Sequence, residues 1–371
     1  MNDLIHAIDT IPFGEMIVRA ECADDRAVRE ILRKEHRDRW DLAVLLSPAA
    51  DNLLEEVARA AADLTAQRFG RTIRLYAPLY LSNECVNVCT YCGFRRDNDV
   101  ARSTLNAEQI RSEARYLSAQ GFRNILLVSG EHPKWVNRDY LSEAVRIARE
   151  FVPQVAIEVQ PLTTSGYEAT VKAGADGVVV YQEVYDRELY ASYHTHGPKK
   201  DYDDRLLAAS RAAAAGVRRI GIGTLLGLAP WREEILALGT HAAHLYRRFG
   251  RTEISFSFPR IREAAGAIEP RYQVSDRQLL QMMCALRLVF PDAGIVLSTR
   301  EAPALRDGLS RIAVTMMSAG SRTEPGGYEH PDESEKQFEI EDHRTAAEVG
   351  AMLSAQGIDP VWKDWEEALH G

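Results

Sequence analysis

The segment LYAPLYLSNECVNVCTYCGFRRDN, residues 75–98, holds the two patterns that decide the fold. Its first eight residues, Leu75 to Ser82, form a near-continuous apolar and aromatic run, as expected of a strand buried on both faces. Directly after it come Cys85, Cys89 and Cys92, spaced C-x3-C-x2-C. In parallel α/β folds, functional residues collect at the C-terminal ends of strands, and three thiols stand at such an end here.

The β-rich run recurs seven more times with longer helical patterns between: NILLVSG (124–130), VAIEVQ (155–160), GVVVYQE (177–183), RRIGIGTL (218–225), EISFSFP (253–259), GIVLSTR (294–300) and IAVTMMS (312–318). One intervening helix is well marked: Asn106 and Gln109 have capping-box spacing, Ile110, Ala114 and Leu117 form a stripe, and Gly121 stops it. Eight β units over about 250 residues match a (β/α)8 TIM-type barrel. Periodicity counts strands but not closure, so an open doubly wound sheet remains the alternative. The chain of 371 residues exceeds the usual size of one hydrophobic core, which a closed barrel accommodates. Before the first strand, SPAADNLLEEVARAAADLTAQRFG (47–70) reads as a helix with Ser47 as N-cap, Pro48 in the first turn and Gly70 as stop. The expected division is a helical N-terminal extension (1–72), the barrel (73–322) and a C-terminal extension packed on it (323–371).

Composition narrows the function. The 54 acidic residues outnumber the 45 Lys and Arg, and a net charge of −9 argues against a nucleic-acid partner. YRRFGR (246–251) reads as the solvated end of a helix. The N-terminus MNDLIHAIDTIPFGE lacks the flanks of a secretory signal and no apolar run reaches membrane length, so a cytoplasmic location is expected. Five cysteines, three of them clustered, do not form a disulfide framework in a chain this long. Cys22 and Cys284 read as an idle thiol and a small buried hydrophobe.

Structural zinc wants four ligands, usually as two separated pairs, and the sequence offers no second pair; His132, His194 and His196 are distant options, with HTH (194–196) in a loop-like setting. A redox pair of Cys89 and Cys92 leaves Cys85 unexplained. An iron–sulfur cluster uses all three, and three thiolates on a [4Fe–4S] cluster leave one iron open to a ligand.

Several strands end in hydrogen-bonding residues: Ser82 and Asn83, then Glu131 and His132, Glu158 and Gln160, Gln182 and Glu183, Ser298 and Arg300, and Ser318. Strands buried on both faces do not end so regularly in polar groups unless these line a cavity. The glycines of GIGTLLGL (221–228) do not match a nucleotide-binding pattern and read as close strand packing; EPGGYEHP (324–331) reads as turn chemistry.

C-x3-C-x2-C with Tyr91 before the last cysteine and Gly93-Phe94 after it, at the end of a first barrel strand, resembles the radical S-adenosylmethionine enzymes. The resemblance implies a [4Fe–4S] cluster on Cys85, Cys89 and Cys92, whose open iron takes the amino and carboxylate groups of S-adenosyl-L-methionine. Cleavage of that cofactor then gives a 5′-deoxyadenosyl radical. It further implies that Glu131 handles the cofactor's amino group, with Tyr91 shaping the loop and the backbone around Phe94 taking the adenine.

From about residue 40 onward the match is closer. APLYLSNECVNVCTYCGFRR, LLVSGEHP, EVQPL, VVVYQEVYDRELY, GIGTLLGL, SFPRIR, LSTREAP, EPGGY and PVWKDWEE, in that order, resemble the 2-iminoacetate synthase family, the tyrosine lyases of thiazole and thiamine biosynthesis. This implies cleavage of the Cα–Cβ bond of L-tyrosine to p-cresol and 2-iminoacetate (dehydroglycine). It also implies reduced flavodoxin or ferredoxin as electron donor and thiazole synthase as partner. Arg300 would pair with the substrate carboxylate and Ser318 would sit near its amine. Glu183 and Arg260 are expected on the catalytic side, and Glu158, Gln160, Gln182 and Tyr185 on the cofactor side. The tyrosine lyase of hydrogenase maturation shares the cysteine loop but carries a second cluster, for which no cysteine follows Cys284 here. The tryptophan lyase of indolic acid formation shares TRE but has a different cysteine loop. A related lyase of another aromatic amino acid, and a metal-stabilised interaction protein without turnover, remain the alternatives.

Overall fold

The computed structural model describes residues 2–331 and 334–362. Eight strands form its centre: β1 (Thr72–Ser82), β2 (Asn124–Ser129), β3 (Gln154–Glu158), β4 (Gly177–Glu183), β5 (Arg219–Thr224), β6 (Glu253–Ser257), β7 (Gly294–Leu297) and β8 (Met316–Ser318). Each pairs in parallel with the next, and β8 returns to β1 through Arg74–Met316, Leu75–Met317 and Tyr76–Ser318. The sheet is therefore a closed (β/α)8 barrel, and the open-sheet alternative falls.

Side chains alternate along each strand. In β1, Leu75, Ala77, Leu79 and Leu81 join the large core beneath the helices, while Tyr76 and Tyr80 point inward with Leu126 and Val128 of β2. The first intervening helix, Ala107–Ala119, starts on the expected capping box of Asn106 and Gln109. The last two strands are shorter than their apolar runs. β7 stops at Leu297 and frees Ser298 to Arg300 for the loop above; β8 begins only at Met316, because Arg311 to Ala313 are still turning out of the preceding helix.

GIGTLLGL is strand packing, as its glycines suggest. A Cβ on Gly223 would lie 2.0 Å from the Ser257 carbonyl oxygen and 2.8 Å from the Tyr181 ring. Gly223→Ala is expected to destabilise the protein by about 1–3 kcal/mol through overpacking, seen as a lower urea midpoint at unchanged m-value.

Six helices precede the barrel, from Asn2–Asp9 to Leu54–Phe69. Ser47 caps as expected, its Oγ accepting from the Ala50 amide at 3.0 Å. The helix it starts ends at Asn52, and a new one begins at Leu54. Periodicity does not sense this one-residue break, where the distant Arg277 takes the Asp51 carbonyl and carboxylate. HTH is not a loop: His194–His196 pairs antiparallel with Val88–Cys89 of the cysteine segment. At the far end, β9 (Asp359–Val361) lies parallel to the start of β1, outside the barrel. Of PVWKDWEE, Pro360 to Trp362 lie within the described residues and the remainder lies outside them. Among the described residues no helix is long and apolar enough to cross a membrane.

Candidate active site

β1 bulges between Tyr80 and Ser82, and the chain then enters the cysteine loop. Asn83 is fully buried and ties the loop's two ends together, donating to the Ala101 carbonyl (2.8 Å) and accepting from the Ser103 amide (2.6 Å). Arg102 gathers four loop carbonyls, those of Asn83, Phe94, Arg95 and Asn98, at 2.7 to 3.1 Å. Gly130 allows the second strand's end to touch the loop, since a Cβ there would lie 2.4 Å from the Glu84 carbonyl oxygen. The cysteine backbone is thus fixed before anything binds to it.

All five cysteines are free. Burial pushes the Cys89 thiol up to about 12, and burial also raises Cys92. A redox pair of Cys89 and Cys92 would leave Cys85, on the same loop, without a role. The candidate histidine ligands are engaged elsewhere. His194 uses one ring nitrogen for the Tyr190 carbonyl and the other for the Tyr91 hydroxyl, both at 2.8 Å. His196 meets Arg96 at 2.8 Å, and His132 receives the Lys134 amide at 3.3 Å. Among the described residues no three His, Cys, Asp or Glu side chains converge as one ion requires. The donor set fits a cluster instead: three soft thiols on one rigid loop, Cys89 buried and Cys85 and Cys92 half-buried, with Asn87 Nδ2 at 3.8 Å from Cys85 Sγ and Gln337 Nε2 at 3.9 Å from Cys92 Sγ.

Beside Cys92 the C-terminal ends of the strands enclose a cavity of about 120 Å³. Of the residues expected at the site, Tyr91, Glu158, Glu183, Arg300 and Ser318 line it, together with Tyr76, Tyr80 and Tyr181. A larger cavity of about 300 Å³ opens at the opposite end of the barrel, around Arg74, Arg219 and Glu253, and contains none of the expected site residues.

Two carboxyls in the site are driven apart. For Glu183, burial would raise the pKa, but Lys199 (2.7 Å) and Arg205 (3.3 Å) outweigh it and hold the group near 2. For Glu158, burial and then the charge of Glu183 push the pKa up to about 7, with Arg300 offsetting only part of this. One is a fixed anion; the other can carry or release a proton near neutrality. Glu183 also has φ 71°, the one positive φ outside glycine among the described residues. Its carbonyl is held by the Thr224 hydroxyl (2.7 Å) and the Leu225 amide (2.9 Å), which keep this strained conformation in place.

Arg300 forms no ion pair among the described residues; its Nη1 reaches only the Arg260 carbonyl at 3.5 Å, and its guanidinium lies 3.3 Å from the centre of the Phe338 ring. Ser318 is buried and its Oγ accepts from the Thr299 amide at 3.0 Å.

The other expected site residues are placed elsewhere. Gln182 alternates with Tyr181 and Glu183, so it points out of the barrel toward the Tyr202 carbonyl (3.4 Å). Tyr185 lies in the outer core with its hydroxyl on His241 (2.9 Å). Gln160 stands beyond the end of β3 and donates to the Val136 carbonyl at 2.7 Å. Arg260 is consumed by Glu301, Asp276 (2.7 Å) and the Val274 carbonyl (3.0 Å), so it is no free ligand group. Glu131 stays beside the cysteine loop, accepting from Asn87 Nδ2 at 2.7 Å, rather than on the cavity wall. Phe94 is buried edge-on against Tyr80, at 5.9 Å between centroids. Its carbonyl accepts from Arg102 at 2.8 Å and keeps a second lone pair for another donor.

Sequence reasoning missed several residues. Lys199 and Arg205 clamp Glu183, yet they come from the 3-10 turn and helix after the ribbon, with no pattern linking them to it. Gln337 touches Cys92, accepts from the Tyr80 hydroxyl at 2.7 Å, and its carbonyl accepts from the Gly93 amide at 3.1 Å. A Cβ on Gly93 would lie 2.7 Å from the Lys336 carbonyl oxygen, so the Gly93 of the motif is what admits this strap.

Glu234, also missed, supports the strained strand end. Its carboxyl accepts from the Tyr185 amide (2.9 Å) and meets the Thr224 hydroxyl (2.5 Å). Burial pushes its pKa up to about 7 from an ordinary 4.5. The folded state therefore favours the protonated form. Its contribution to stability is full below about pH 4.5 and is lost as pH rises toward 7. Glu234→Gln is neutral at every pH and should flatten that decline by roughly 1–3 kcal/mol, read as urea midpoints across the range.

The radical SAM superfamily domain matches residues 79–238, and the Biotin and Thiamin Synthesis associated domain matches residues 257–359. The chain is 42% identical over 343 residues to 2-iminoacetate synthase of Escherichia coli K12, covering 92% of this chain and 91% of that protein. It belongs to the 2-iminoacetate synthase family. The crystal structure of HydG, a maturase of the [FeFe]-hydrogenase, aligns with a TM-score of 0.92 at 32% identity, over 96% of this chain and 81% of that one. Methylornithine synthase (PylB) shares the fold at 22% identity and a TM-score of 0.70, over 90% of this chain and 97% of its own. As a radical SAM family, 2-iminoacetate synthases imply a [4Fe–4S] cluster and S-adenosylmethionine, and the cysteine loop described above is the part of this chain that fits them.

Proposed function

We propose that this chain is a tyrosine lyase that cleaves the Cα–Cβ bond of L-tyrosine to 2-iminoacetate and p-cresol. What carries the reading is Arg300, a guanidinium to which the described residues give no carboxylate partner, in the same cavity as Cys92 and next to the buried Ser318. When bound, the cluster and S-adenosylmethionine supply reductive sulfonium cleavage and removal of one hydrogen atom from substrate. Cys85, Cys89 and Cys92 would hold the cluster, and the Gln337 and Asn87 amides would stand beside the Cys92 and Cys85 sulfurs as donors.

The remaining residues do the positioning. Arg300 presents a flat fork to the substrate carboxylate, and Phe338 on its face keeps that fork from swinging. Ser318, fixed by the Thr299 amide, directs its hydroxyl to the amine. The Glu183–Lys199–Arg205 cluster offers both signs of charge on the opposite side, suited to the polar parts of the cofactor. Radical chemistry attacks the nearest hydrogen, so holding the amino acid still is what the protein contributes. Reduced flavodoxin or ferredoxin would deliver the electron, and thiazole synthase would take up 2-iminoacetate, which hydrolyses readily. The cytoplasm is the compartment we assign, consistent with free thiols.

The test is anaerobic incubation of cluster-reconstituted protein with S-adenosylmethionine, a strong reductant and, in turn, tyrosine or tryptophan. The expected result is p-cresol from tyrosine and no indolic fragment from tryptophan. The reverse selectivity would replace tyrosine as the substrate.

A further inference from the structure

Two charged side chains on the cavity wall make no ion pair among the described residues. One is Arg300, held only by the Arg260 carbonyl and the Phe338 ring. The other is Glu158, for which the described residues provide neither a hydrogen bond nor an ion pair. Its neighbour Glu183, by contrast, is clamped by two cations. Glu158 is half-buried on the cavity wall, so its carboxylate oxygens stand ready to accept a hydrogen bond from a ligand.

Topology says which part of a ligand reaches it. In the closed ring β3, which ends at Glu158, lies four strands from β7, which leads to Arg300, and so on the opposite wall. Ser318 ends β8, next to β7. An amino acid whose carboxylate and amine are held by Arg300 and Ser318 therefore meets Glu158 with the far end of its side chain. Between these walls stand Tyr76, Tyr181 and Leu126, an aromatic and apolar passage suited to a ring. Tyr76 and Tyr181 turn their own hydroxyls to Ser318 and Ser257, leaving Glu158 for the ligand.

We propose that Glu158 recognises the phenol hydroxyl of the substrate and makes the site prefer tyrosine to phenylalanine. This rests on the tyrosine-lyase reading, and it moves Glu158 from the cofactor to the substrate. The phenol O–H donates to the carboxylate in a charge-assisted bond; an unsubstituted ring would displace water from the carboxyl without replacing that bond. A pKa near 7 gives Glu158 a second option, since the protonated form can donate to the phenol oxygen instead.

The experiment measures equilibrium binding of L-tyrosine and L-phenylalanine to the reconstituted protein with S-adenosylmethionine and no reductant. Wild type is compared with Glu158→Leu and Glu158→Gln. The tyrosine-over-phenylalanine preference is expected to fall by about 10²-fold in the leucine variant. The glutamine variant, whose amide still accepts from a hydroxyl, is expected to keep part of it. It also guards against a folding artefact, with circular dichroism recorded for all three proteins. An unchanged preference in Glu158→Leu overturns the proposal. So does loss of S-adenosylmethionine binding with the preference intact, which would return Glu158 to the cofactor. Wild-type p-cresol formation is assayed in parallel: if wild type makes none from tyrosine, the tyrosine-lyase reading falls and this proposal with it, whereas cresol with an unaltered preference sinks the proposal alone.

Discussion

Replacing Arg300 with alanine is expected to lower p-cresol formation from tyrosine by about 10³-fold, while 5′-deoxyadenosine still forms. The guanidinium sits three residues beyond β7, against Phe338, and the described residues give it no carboxylate. Burial lowers its pKa, so its charge is costly there until an anion arrives. Without it the substrate carboxylate is buried unpaired, a penalty of about 4 kcal/mol that matches the predicted loss. Arg300→Lys is expected to recover little, because one ammonium cannot reproduce a bidentate fork. The measurement is the ratio of p-cresol to 5′-deoxyadenosine under anaerobic turnover. A structural role for Arg300 would lower both products together; the positioning role lowers the ratio.

Replacing Cys85, Cys89 and Cys92 together with serine is expected to abolish iron and sulfide binding and, with them, all 5′-deoxyadenosine formation. Hydroxyls are hard ligands and do not replace soft thiolates on a cluster. The fold should survive, because the loop is held by Asn83, Arg102 and Asn87 through bonds that do not use the thiols' sulfur, apart from the long Asn87 contact to Cys85. Iron and sulfide analysis beside a circular dichroism spectrum separates loss of the cluster from loss of the fold. Stoichiometric zinc without sulfide in the wild type would contradict the cluster assignment.

The barrel was legible because its signal is spread along the chain. Eight β-rich runs each carry their own pattern, and errors of a few residues at Ser298–Arg300 or Ile312–Thr315 leave the strand count intact. The cysteine loop was legible because its chemistry is local to eight residues. The cavity wall was only half legible. Glu158, Glu183, Arg300 and Ser318 were found because strand ends point at the site, but the same rule also drew in Gln182, which the two-residue alternation sends outward. Lys199, Arg205 and Gln337 were not visible at all. They reach the site across the ribbon and the C-terminal strap, and nothing in their neighbourhoods marks which distant group they will meet. Arg260 misled for the complementary reason: its partners, Glu301 and Asp276, are too distant in sequence to reveal that its charge is already used.

The most direct test of the central claim is the product balance of the first turnover. Reconstituted protein, S-adenosylmethionine, tyrosine and a strong reductant are mixed anaerobically, and both products are quantified by chromatography. The account predicts p-cresol and 5′-deoxyadenosine in near-equal amounts, both absent without reductant. 5′-Deoxyadenosine without p-cresol would contradict the tyrosine site built on Arg300, and neither product from cluster-loaded protein would contradict the enzyme itself.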